Sequence, residues 1–257
     1  MAMNPPLPAW REASVWIIGA STGIGAATAR ALLAAGARVA LSARKADALA
    51  EVAGGSARAL VLPLDYTDSA AVRAAWTTLQ RDWGRIDLVL VVAGTHQEMR
   101  AWELDEAKAM ALLKTNLHGV IGTCAVVVPG LLAQGAGALG IVASVAGYRG
   151  LPKALIYGAS KAAVINFTES LYLDLEPKGI GVYLISPGFV KTPLTDGNDF
   201  KMPALISAEE AASAILKGLR QGRFEIHFPK RFTLLLKFLQ LLPYRWYFAL
   251  VHKSTGL

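Results

Sequence analysis

Tyr157 and Lys161, in the run YGASK, have the types and the spacing for proton chemistry. Side chains at i and i+4 share one face of a helix, and a nearby ammonium favours phenolate. That would draw the tyrosine pKa down from about 10 towards the range in which it can pass a proton at neutral pH. Such a pair also occurs on ordinary amphipathic helices, so it needs a setting. A second group supplies one. The apolar run VWIIGA passes into Gly19-Ala20-Ser21-Thr22-Gly23-Ile24-Gly25 and then into the helical AATARALLAAG. Glycines permit a tight turn and let a diphosphate approach the free N–H groups of a helix start, where the helix dipole favours anions. At the first strand-to-helix junction this pattern predicts dinucleotide binding.

The elements that must position these groups follow from hydrophobic period and punctuation. Short apolar runs predict strands over 14–20, 37–42, 59–64, 86–93, 138–144, 181–186 and 224–228. Helical stretches begin near Gly25, Ala46, Ser69, Asp105, Tyr157 and Ala208, and Asp68 is placed to cap the third of them. The strands are apolar on both sides, as parallel strands covered on both faces must be. The expected fold is α/β, a doubly wound, Rossmann-like parallel sheet of about seven strands with helices on both faces. Residues 1–228 read as the dinucleotide-binding and catalytic domain, and 229–257 as an amphipathic helical extension with no strand partner.

With its Gly-x3-Gly-x-Gly loop and Tyr-x3-Lys pair, the sequence resembles the short-chain dehydrogenase/reductase family over residues 14 to about 228. Ser144 lies thirteen residues before Tyr157, Asn116 sits in TNLHG where the family has its helix-kinking asparagine, and Pro187-Gly188, Val190 and Thr192 follow the sixth strand. The resemblance implies that Tyr157 protonates a carbonyl oxygen as hydride arrives from a nicotinamide. It implies also that Ser144 hydrogen-bonds that oxygen, that Lys161 holds the nicotinamide ribose, and that Asn116 holds a water relaying protons to Lys161. Asp65 matches the residue that contacts adenine, and Ala93-Gly94 the end of strand four. There the family usually has Asn-Asn-Ala-Gly, whereas this chain reads Val91-Val92-Ala93-Gly94, so a backbone-tying asparagine is missing. A variable stretch, about 194–206, is expected to close over the substrate.

Cofactor choice turns on the end of strand two. A carboxylate there would hold a ribose 2′-hydroxyl, while an arginine accommodates a 2′-phosphate. The carboxylate position is Ala43, followed at once by Arg44 and Lys45, so NADP(H) is expected.

Composition sets further bounds. With 54% apolar and 18% charged residues and a mean hydropathy of +0.40, the chain is neither disordered nor fibrous and has apolar surface to spare. Its one cysteine, Cys124, excludes a disulfide framework and reads as helix filler. His96 and His118 lack companions at ligand spacing; they read as surface or helix-packing residues, and no metal is expected. Of 26 basic and 19 acidic residues, eight basic and one acidic fall at or after position 217, so the whole net charge of +7 belongs to that end. From Phe232 it reads FTLLLKFLQLLPYRWYFALVHK, with Leu234, Leu235, Phe238, Leu239 and Leu242 on one helical stripe and Thr233, Lys237, Gln240 and Tyr244 opposite. Lys237, Pro243 and Arg245 make it a poor span and a fair interfacial anchor. Peripheral membrane contact through 230–253 is expected first, an oligomer interface or cleft lid second, and nucleic acid not at all. The N-terminal MAMNPPLPAWREAS has no secretory h-region, so a cytoplasmic location is expected, peripheral at the inner face of a membrane.

The function expected is that of an NADP(H)-dependent oxidoreductase reducing a ketone or aldehyde, preferably lipophilic, or oxidising the matching secondary alcohol. The family also implies a homodimer or homotetramer through the helices holding Asn116 and Tyr157. The alternative is a non-catalytic NADP(H) sensor or membrane scaffold of the same fold.

Overall fold

The computed structural model describes residues 2–196 and 202–255. Seven parallel strands form one sheet in the order β3-β2-β1-β4-β5-β6-β7. They are β1 (Ser14–Ile18), β2 (Arg38–Ser42), β3 (Ala59–Val61), β4 (Leu88–Val91), β5 (Ala138–Val142), β6 (Gly181–Pro187) and β7 (Glu225–Phe228). The expected doubly wound sheet is thus present. Several strands end two or three residues earlier than the apolar runs suggest, because those residues leave the sheet to build the loops at its carboxyl edge. Strand order reverses between β1 and β4, so their loops diverge and open a crevice there.

Side-chain alternation along β1 shows how both faces are filled. Val15 and Ile17 join a core with Leu32 of α1 (Gly23–Ala34) and Ile215 of α7 (Ala208–Arg220), beside α2 (Ala46–Ala53). Trp16 and Ile18 face the other way, towards Leu79 of α3 (Ser69–Trp83), Val127 of α5 (Gly119–Gln134) and Val164 of α6 (Leu155–Leu175). Each such large side chain contributes about 1.5–3 kcal/mol on full burial. The Trp16 indole N–H is satisfied by Ser42 Oγ at 2.9 Å.

Asp68 caps α3 as expected, accepting from Ala70 N at 2.9 Å and Ala71 N at 3.3 Å. The helix that starts after Asp105 runs as α4 (Glu106–Leu113) into α5 through one π turn, Lys114–His118, which turns Asn116 inward, fully buried. Cys124 is buried on α5 as filler.

The C-terminal extension is two helices, α8 (Lys230–Gln240) and α9 (Tyr244–Thr255), where one segment was expected; Pro243, lacking an N–H, separates them. The orientation of α8 reverses that of an ordinary surface helix, whereas α9 buries Tyr247 and Val251. Thr233 is fully buried and Lys237 pairs with Glu225 of β7. Leu234, Leu235, Phe238 and Leu241 are 53–81% exposed.

Candidate active site

At the crevice lies a cavity of about 960 Å3, and of the residues singled out from sequence all but Asn116 among the site candidates line it. Its floor is the Gly19–Gly25 turn, including Ser21, Thr22 and Ile24. Here the glycines are required by space. A Cβ on Gly19 (φ +94°) would stand 2.4 Å from the Ala93 nitrogen, and one on Gly25 2.0 Å from the Gly19 carbonyl oxygen. The other capped helices, α3, α4 and α7, carry an Asp or Ser N-cap side chain bonded to the first turn. At α1 Thr22 makes no such bond and the first turn holds no acid. Its N–H groups are therefore open to an anion, which fits a dinucleotide diphosphate.

At one end of the cavity Arg44 and Lys45 stand exposed beside Ala43, with no carboxylate at the tip of β2. Asp65 lines the same end; Thr67 donates to it from N–H and hydroxyl, each at 2.9 Å. Those bonds, with the charges of Arg44 and Lys114, hold its carboxyl below the usual carboxylate range. Pro187, Gly188, Val190 and Thr192 form the opposite wall. Of the 194–206 stretch expected to close over the substrate, 197–201 lie outside the described residues; Leu194 and Thr195 line the cavity, and Val190 bridges to Ile206.

Ser144, Tyr157 and Lys161 meet at the other end. Ser144 begins a short 3-10 turn, Val145–Gly147, and accepts from Ala146 N at 3.1 Å. Gly147 lets this turn press against α6: a Cβ there would lie 2.6 Å from the Lys161 carbonyl carbon. Lys161 Nζ donates to the Val142 carbonyl at 3.0 Å and stands 5.9 Å from the Tyr157 ring centre. The expected lowering of the Tyr157 pKa by Lys161 is corrected by this geometry. Burial pushes the phenol up, a hydrogen bond with Ser144 opposing it, and burial draws the lysine down to about 8. The lysine is turned towards the carbonyl at the end of β5, and burial dominates both shifts.

Asn116 lies behind the cavity wall. Its Oδ1 accepts from Thr95 N at 2.8 Å, and its Nδ2 donates to Thr95 O at 2.8 Å and Ser160 Oγ at 3.2 Å. These bonds tie the end of β4, where the sequence lacks an asparagine. Tyr66, which sequence reasoning did not single out, assists: its hydroxyl donates to the carbonyls of Thr115 and, at 3.4 Å, Ala93.

His96 also departs from expectation. It packs against helix α6, but at the cavity, which it lines, its ring edge-on to Tyr157 with centres 4.6 Å apart. His118 is exposed, and no group of three metal-ligating side chains occurs among the described residues.

A family model described as short chain dehydrogenase matches residues 13–202. An uncharacterized oxidoreductase of Myxococcus xanthus (strain DK1622) is 34% identical over 233 residues, spanning 88% of this chain and 91% of that one. A 2-dehydro-3-deoxy-L-rhamnonate dehydrogenase (NAD(+)) of Sphingomonas sp. (strain SKA58) is 35% identical over 181 residues, covering 70% and 73% of the two chains. Among solved structures, a short chain dehydrogenase from Burkholderia cenocepacia J2315 in complex with NADP superposes with a TM-score of 0.79 at 26% identity, covering 94% of this chain and 95% of that one.

Proposed function

Because the chain belongs to the short-chain dehydrogenase/reductase family of oxidoreductases, we propose that it is an NADP(H)-dependent enzyme that reduces a lipophilic ketone or aldehyde, or oxidises the matching secondary alcohol. The observation that carries this reading is that Ser144, Tyr157 and Lys161 line the same cavity as the uncapped α1 start and Arg44. The cofactor supplies or accepts the hydride when bound.

The chain's own residues do the rest. The raised pKa of Tyr157 keeps the phenol protonated at neutral pH, so it can donate to the carbonyl oxygen during reduction. Ser144 donates a hydrogen bond to that oxygen. Lys161, with a pKa of about 8, is mainly ammonium at pH 7; it stabilises the phenolate left by proton donation and holds the nicotinamide ribose. Asn116 would hold a relay water to Lys161, whose Nζ, like Asn116 Oδ1, stands 3.4 Å from where a Gly94 Cβ would be. The Gly19–Gly25 turn holds the diphosphate, Asp65 the adenine, Arg44 and Lys45 the 2′-phosphate. Ala93, Gly94, Pro187, Gly188, Val190 and Thr192 line the nicotinamide end.

The lipophilic preference rests on the C-terminal helices, which we read as resting on an anionic membrane surface from the cytoplasmic side. Their outward face carries Leu234, Leu235, Phe238, Leu241, Tyr244 and Trp246, all more than half exposed. Lys230, Arg231, Arg245 and Lys253 are exposed around it, and no acidic residue occurs after Glu225. Apolar, aromatic and basic groups together suit a headgroup boundary. At 11 and 12 residues neither helix can cross a bilayer, which needs about 20. A cleft lid is not favoured, since no residue of α8 or α9 lines the cavity. Arg149 holds the α8 end by donating to the carbonyls of Leu239, Gln240 and Leu242 at 2.6–3.1 Å, so the end of α8 is tied to the segment just after the Val145–Gly147 turn. Exposed Ile121, Leu132 and Leu173 on α5 and α6 support a homodimer or homotetramer through those helices.

Carbonyl compounds of graded chain length, followed by NADPH absorbance, test the reading. Turnover should rise with chain length; no consumption of NADPH with any of them would overturn it.

A further inference from the structure

We propose that His96 is a specificity-determining residue, whose imidazole N–H hydrogen-bonds an oxygen that the substrate carries next to the reacting carbonyl. The preferred substrates are then oxygen-bearing carbonyl compounds such as α-hydroxyketones, in preference to plain ketones of the same length. This rests on the reading of Tyr157 as the group that meets the carbonyl.

The loop around His96 is pinned on both sides. Asn116 bonds both backbone groups of Thr95, and Met99 N donates to Lys153 O at 2.8 Å, just before α6 begins. His96 is thereby held against Tyr157, 4.6 Å between ring centres, with both rings on the cavity. A substrate oxygen at Tyr157 brings its neighbouring atoms within reach of the imidazole.

The two imidazole nitrogens differ. Nδ1 is buried without a hydrogen-bond partner, and because the residue lines the cavity, Nε2 is the nitrogen we assign to the ligand. Burial lowers the pKa of His96, so the ring is neutral at pH 7 and carries one proton. That proton belongs on Nε2, because no acceptor faces Nδ1. The nearby carboxylate does not reach Nδ1, which has no hydrogen-bond partner; Glu98 Oε2 pairs with Lys153 Nζ at 3.0 Å. What the cleft meets is thus a neutral donor held in place, with no hydrogen-bond partner among the described residues, beside the phenol of Tyr157. A hydroxyl or carbonyl oxygen completes it, and a methylene leaves it desolvated and unpaired, which a site built around a polar group disfavours.

The test compares 2-octanone with 1-hydroxy-2-octanone. The ratio of their kcat/KM values should favour the hydroxyketone about three- to tenfold, the worth of one neutral hydrogen bond. His96→Phe keeps a flat ring against Tyr157 and removes the donor; the ratio should fall below about twofold. His96→Asn, which restores an N–H, should recover part of it. The same ratio is read as dissociation constants, from NADPH fluorescence, in the Tyr157→Phe background, where it should persist. That arm separates the two readings: a binding preference that persists in Tyr157→Phe leaves His96 in place whatever that variant's rate, whereas an unmodified protein that keeps the preference but turns over neither ketone loses the catalytic proposal alone. A ratio unchanged in His96→Phe, or no preference in either rate or binding in the unmodified protein, overturns the role of His96.

Discussion

The side-chain amide of Asn116 grips the backbone of Thr95 at both polar groups, accepting its N–H and donating to its carbonyl, each at 2.8 Å. One buried residue on the π turn thus holds both polar backbone groups of a residue in the loop that follows β4. Asn116→Ala would leave the two Thr95 groups short of partners at about 1–3 kcal/mol for each one left buried, while Ser160 Oγ keeps its bond to the Tyr157 carbonyl at 2.7 Å. The expected result is a melting point lower by roughly 5–10 °C together with loss of turnover, read by calorimetry and NADPH absorbance. An unchanged melting point would show that the loop is held by other means.

Arg44 should set the cofactor preference. A guanidinium fork pairs with a phosphate in a way that a hydroxyl cannot match. NADPH should bind more tightly than NADH, and Arg44→Ala should shrink the gap by about tenfold, a modest figure because the site is exposed. Titration of both cofactors by fluorescence checks this; equal affinities in the unmodified protein would count against NADP(H).

The pH dependence follows from two opposite shifts. Tyr157, raised, stays protonated through neutral and mildly alkaline pH, while Lys161 loses its charge as pH passes about 8. Because the ammonium stabilises the phenolate formed on proton donation, kcat/KM for reduction should fall above about pH 8. Lys161→Arg, in any residual activity, should move that fall upward because arginine keeps its charge. A reduction rate that climbs through pH 8 would contradict the assignment.

Leu234→Glu with Phe238→Glu tests the outward face without touching the core, since both side chains are more than half exposed. Phosphatidylserine vesicles should bind the unmodified protein, more weakly as salt rises, and bind the double variant at least tenfold less. Sedimentation and light scattering would expose the competing outcome, in which vesicles are ignored and the substitutions instead dissociate an oligomer.

Much of the sheet could be read from the chain because parallel strands covered on both faces are apolar throughout, and the seven runs have no other plausible form. The glycine turn was legible for the same reason that it works: Gly19 and Gly25 have no room for a Cβ. What escaped were contacts between residues far apart in sequence. Tyr66 reaches Thr115, 49 residues away, and nothing in the LDYTD run signals that. His96 has no motif around it and acquires its place only when the β4 loop folds against α6. Periodicity revealed the apolar stripe of α8 but not which side the body covers; that was decided by Thr233 reaching His227 and Lys237 reaching Glu225 on the edge strand.

The most direct measurement of the central claim is the steady-state rate of Tyr157→Phe on the best carbonyl substrate, with NADPH affinity determined on the same preparation. Removing one hydroxyl deletes the proton donor and leaves the cavity wall in place. The rate should fall at least a hundredfold, as loss of a general acid typically does, while the NADPH dissociation constant changes less than about threefold. A variant that retains more than about a tenth of the rate would contradict the account, because the proton would then come from another group.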